Sequence, residues 1–88
     1  MASVVEGRTI LVVDDSSVVR KVTRNMLEQV GYRVVLASDG YAALKALQEF
    51  PGSIHLLLTD VVMPGMNGSE LARQVLAVRP DIRVLFMS

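Results

Sequence analysis

Four short runs of aliphatic, largely β-branched residues punctuate the chain, and each stops abruptly at a polar or turn-forming residue. Ile10-Leu11-Val12-Val13 stops at Asp14-Asp15, and Val34-Val35-Leu36-Ala37 at Ser38-Asp39-Gly40. Ile54–Thr59 stops at Asp60, and Ile82–Met87 at Ser88. The runs are continuous rather than alternating, the pattern of strands buried on both faces of a parallel sheet. Parallel neighbours need crossovers, and each gap carries helical spacing. Val19, Val22, Met26, Leu27 and Val30 form one stripe, with Ser16 or Ser17 available as N-cap and Gly31 just past its end. Ala43, Leu44, Leu47 and Phe50 form a second stripe, closed by Pro51-Gly52. Leu71, Ala72, Val75 and Leu76 form a third, closed near Arg79-Pro80.

The resulting order, β-α-β-α-β-α-β with short right-handed crossovers, predicts an α/β doubly wound parallel sheet of the flavodoxin-like kind, strand order 2-1-3-4. Eighty-eight residues make one domain at most, with residues 1–7 as an N-terminal tail. Hydrophobic residues at 51% against 20% charged residues exclude a disordered chain. Nine Lys+Arg balance nine Asp+Glu, which argues against a nucleic-acid-coating surface. Cysteine is absent, so disulfides, thiolate metal sites and thiol catalysis are excluded together. No apolar run is long enough to span a bilayer, and the first residues lack the basic and apolar regions of a signal peptide. A cytoplasmic domain without membrane contact is the expectation.

Doubly wound sheets bind ligands at the carboxyl ends of their strands, where strand order reverses. In the order 2-1-3-4 that crevice lies between the first and third strands, the two that end in Asp14-Asp15 and Asp60. Neighbouring strands lie about 4.8 Å apart, so the three carboxylates converge. Negative charges so close repel one another unless a cation sits among them. A hard, oxygen-preferring divalent ion meets that need, and Mg2+ leaves positions open for a phosphate. The bland alternative is that strand-end acids serve as helix caps, as Asp15 could before Ser16. Three residues after Asp60 begins Met63-Pro64-Gly65-Met66-Asn67-Gly68, whose proline and glycines specify a shaped loop. The chain contains no dinucleotide or P-loop glycine fingerprint.

An acidic pair after the first strand, Asp60 after the third, Met-Pro-Gly-Met-Asn-Gly and a hydroxyl residue ending the fourth strand together resemble a response-regulator receiver domain of two-component signalling. The resemblance runs from Arg8 to Ser88, and Leu57–Gly68 is similar to receivers attached to hybrid sensor histidine kinases. It implies that Asp60 is the phosphoacceptor, taking a phosphoryl group from a histidine on a kinase or phosphotransfer domain. It further implies that Asp15 and Asp60 ligate Mg2+ directly, Asp14 partly through water, and the Val62 backbone carbonyl as a further oxygen. Ser88 would be the switch hydroxyl that turns toward the phosphoryl oxygens. Such a domain assists its own phosphorylation and is not a turnover enzyme.

Against that family's pattern the sequence reads as truncated after the fourth strand, without the helix-strand-helix that carries the phosphate-binding Lys and the aromatic switch residue. Lys21 and Lys45 fall within helices and cannot replace that Lys. A bare sheet face and an open fourth strand then predict self-association, as a homo-oligomer or a domain-swapped dimer. The competing reading is a phosphorylation-incompetent module that acts through this face. A haloacid-dehalogenase-type phosphatase also forms an aspartyl phosphate, but needs a second Asp where this chain has Val62. Elsewhere ordinary structural roles suffice: His55 as a packed or edge residue within the third strand, Met63 and Met66 as packing, and Arg20, Lys21 and Arg24 as a solvated helix face.

Overall fold

A computed structural model describes residues 7–87. Ser88 therefore lies outside the described residues. Seven elements alternate in the expected order: β1 (Thr9–Val13), α1 (Ser17–Val30), β2 (Arg33–Ala37), α2 (Gly40–Glu49), β3 (Leu56–Asp60), α3 (Gly68–Val78) and β4 (Arg83–Met87). The strands form one parallel sheet in the order β2-β1-β3-β4. The register sets Val12 beside Leu36 and Leu58, and Leu58 beside Leu85.

Local chemistry places each helix start. Ser16 caps α1, its hydroxyl accepting from the Val19 N–H at 3.3 Å. Asp39 caps α2 through the Ala42 N–H, and Asn67 caps α3 through the Glu70 N–H, both at 2.8 Å. α1 ends in a Schellman turn: Gly31 takes φ 115°, its N–H donates to the Glu28 carbonyl, and the Tyr32 N–H donates to that of Leu27.

The larger buried cluster lies on one face of the sheet, while Ile10 and Val12 of β1 are buried on the other. Leu11, Val13, Ala37 and Leu57 of the sheet pack with Ala43 and Leu47 of α2 and with Leu71 and Val75 of α3. Two positions expected inside strands lie just before them: Ile54 ahead of β3 and Ile82 ahead of β4, both buried in this same core. His55 also precedes its strand. Its N–H already donates to the Thr9 carbonyl at 2.9 Å, so pairing starts there and becomes regular at Leu56.

α1 departs from its sequence pattern. It lies over β1 and β2 and contributes no buried residue. Its apolar stripe points largely away from the sheet, with Val22 52% and Met26 62% exposed. Arg20, Thr23, Arg24 and Leu27 are its half-buried positions. Arg20 ties the first turn of the helix to the strand end, its Nη1 donating to the Asp14 carbonyl at 2.7 Å.

Candidate functional site

β1 and β3 are neighbours and run parallel, so both deliver their last residues to the same end of the sheet. Asp14, Asp15 and Asp60 meet there, with one carboxylate oxygen from each within 4.8 Å of the others. Asp14 is buried, Asp60 half-buried and Asp15 exposed, so the cluster grades from the sheet into solvent. None of the three is consumed as a helix cap. That role falls to Ser16, and the Asp14 carboxylate instead accepts the Ser16 N–H at 2.8 Å, which aims it across the strand ends.

Arg20 sits close by, its guanidinium donating to the Asp14 carbonyl rather than to a carboxylate. Among the described residues the only ion pair joins Arg73 to Glu70, on α3. Three hard oxygen donors with no paired side-chain cation suit a small divalent ion. The charge pattern alone places Arg20 on a solvated helix face. Its position six residues beyond Asp14, one turn into a capped helix, was the available signal.

The loop behind Asp60 is closed tightly on itself. The Gly68 N–H donates to the Val61 carbonyl at 2.8 Å, and a β-carbon at Gly68 would lie 2.3 Å from the Asp60 carbonyl oxygen. Gly65 takes φ +82°, which L side chains rarely adopt. Met63 and Met66 are buried in the core as packing residues. Thr59, fully buried, donates its hydroxyl to the Asp60 carbonyl at 3.0 Å, a contact that no motif signals. Val62 leaves its side chain 79% exposed at the rim of the site.

This geometry and the sequence agree with a known family: the response regulator receiver domain matches residues 10–88. The chain belongs to that family. It is 41% identical over 81 residues to the response regulator receiver protein CpdR of Brucella abortus, covering 92% of this chain and 66% of that protein. It is 38% identical over 80 residues to the sensor kinase CckA of the same organism, covering 91% of this chain and 8% of the kinase. The receiver fold also superimposes on the response regulator protein TrrA from Thermotoga maritima, solved in complex with Mg2+ and BeF. That match has a TM-score of 0.81 at 33% identity, covering 90% of this chain and 67% of that one. This receiver domain thus spans about two thirds of the length of CpdR. No helix among the described residues is long and apolar enough to cross a membrane.

Proposed function

We propose that this receiver domain accepts a phosphoryl group on Asp60 from a phosphohistidine of a histidine kinase or phosphotransfer domain, in a cytoplasmic phosphorelay. The observation that carries the reading is the convergence of Asp14, Asp15 and Asp60 within 4.8 Å, from two neighbouring strands of a receiver fold. Asp14, Asp15, Asp60 and the Val62 backbone carbonyl would hold Mg2+, which supplies charge neutralisation for the incoming phosphoryl oxygens. An Asp60 carboxylate oxygen forms a bond to phosphorus as the bond from phosphorus to the histidine nitrogen breaks; the nitrogen keeps that electron pair and takes up a proton. Asp14 and Asp15 stay unphosphorylated and hold the site. The anchored peptide of Asp60, bonded to Thr59 and abutted by Gly68, keeps the nucleophile in one place.

Transfer makes position 60 more negative by about one charge and adds strong acceptor oxygens, toward which the Ser88 hydroxyl would turn. The domain assists this single transfer and does not turn over. Intact mass after incubation with a small phosphodonor tests the reading. One added phosphoryl group that vanishes with EDTA and in Asp60→Asn is the expected result. A label that survives in Asp60→Asn, or none in a folded sample, overturns it.

A second reading is self-association without phosphorylation. It is favoured by the edge position of β4, which leaves Leu85 56% and Phe86 47% exposed. Light scattering at tens of micromolar decides this reading, and a clean monomer mass removes it.

A further inference from the structure

The sheet has a second charged end. At the amino-terminal ends of the strands, away from the acid cluster, a cavity of about 300 Å³ opens. Arg8 and Arg83 line it, together with His55 and Tyr32. Ile10 and Leu56, paired across β1 and β3, add an apolar lining.

The walls are held by backbone hydrogen bonds that run across the sheet. The Arg33 N–H donates to the Arg8 carbonyl at 2.8 Å, and the Arg83 N–H to the His55 carbonyl at 3.1 Å. The Schellman turn of α1 fixes Tyr32 beside them. The His55 ring is pinned as well, because its Nδ1 accepts the Thr9 N–H at 3.0 Å. In the neutral ring this bond places the proton on Nε2, which makes His55 a donor.

The polar side chains of this cavity are therefore weighted toward donors: two guanidiniums and an imidazole N–H, beside the hydroxyls of Tyr32 and Thr9, which donate or accept. Among the described residues no carboxylate lines it and neither guanidinium pairs with one. Planar guanidiniums recognise carboxylate and phosphate oxygens in pairs, and an apolar lining favours a ligand with a hydrocarbon portion.

We propose that the cavity framed by Arg8, His55 and Arg83 binds a small amphipathic oxyanion, a carboxylate or phosphate head on a short apolar body. This site is independent of the phosphoacceptor reading. β1 and β3 nevertheless join the two ends of the sheet, about 17 Å apart at about 3.3 Å per residue.

Amide NMR titrations of the 88-residue chain in EDTA test the proposal, with hexanoate, hexyl phosphate, hexanol and inorganic phosphate as probes. Hexanoate or hexyl phosphate should shift the amides of residues 8–10, 55–56 and 83 saturably, and the tighter of the two identifies the head. Hexanol and inorganic phosphate, each lacking one half of the ligand, should bind at least about tenfold more weakly. The double variant Arg8→Gln/Arg83→Gln should lose a similar factor while its circular dichroism is unchanged. Arg83→Gln alone serves if the double variant unfolds. Equal binding of hexanol, shifts that map to the acid end, or affinity that survives in the folded arginine variant would overturn the proposal.

Discussion

The two faces of this sheet are built from similar residues and treated oppositely. Beneath α2 and α3, side chains from three strands and two helices close into a core in which Leu11, Leu57, Leu71 and Val75 are fully buried. On the other face, α1 covers β1 and β2 yet buries none of its own residues, and Leu85 stays exposed on β4. An apolar stripe is a statement about what a helix can bury, not about what it meets. α2 and α3 meet each other as well as the sheet, whereas α1 lies apart from both.

The sharpest way to break this contrast is to truncate one side chain on each face. Leu71→Ala should cost about 2–5 kcal/mol, because the closed core cannot collapse into the space. Met26→Ala should change stability by no more than about 0.5 kcal/mol, as an exposed position does. Denaturant midpoints measure both, and comparable losses would mean that α1 packs as tightly as α3.

Gly68→Ala comes next in size. Its new methyl would have to push the Asp60 peptide aside, at about 1–3 kcal/mol. Mg2+ affinity, followed by fluorescence or calorimetry, should fall with stability, since the displaced peptide carries an acid of the cluster. Unchanged affinity would show that the acid end tolerates movement of the loop.

Arg20→Gln removes a charge-assisted bond to the Asp14 carbonyl and should lower stability by roughly 1 kcal/mol. It sharpens the comparison in a second way. If Arg20 fixes the rotation of α1, hydrogen exchange should accelerate in Ser17–Val30 and stay unchanged in Gly68–Val78. Equal acceleration in both helices would count against that role.

The smallest effect is one of pH. The Gln74 side-chain hydrogen bond, with the bond and charge of Arg73 against burial, holds the Glu70 carboxyl below the usual range. A lowered carboxyl stabilises the folded chain above its ordinary pKa, and that contribution fades as pH falls through the lowered value. Glu70 lies at the surface, where solvent screens its partners, so the gain is slight. An NMR titration of Glu70 should show the lowered midpoint moving back up in Gln74→Ala.

Much of this was legible in the residues themselves. Continuous apolar runs fixed the parallel sheet, and the acids that end the first and third runs fixed which carboxylates would meet. Ser16 and Gly31 marked the limits of α1 because capping is local chemistry. What escaped depends on contacts between distant segments. Arg20 spans from a helix to a strand-end carbonyl, Thr59 supports the peptide that follows it, and the turning of the α1 valines away from the sheet is a matter of helix rotation. His55 looked like an interior strand residue by its neighbours. Its bond to the Thr9 N–H, 46 positions away in sequence, is what defines it.

The fit of Gly68 against Asp60 has a mechanical meaning. The segment between them is a clasp, closed by the bond from Gly68 to the Val61 carbonyl, with the Asp60 carbonyl set against the first residue of α3. A side chain at position 68 would be felt both at the acid end of β3 and at the start of α3, which makes this glycine a joint between strand and helix.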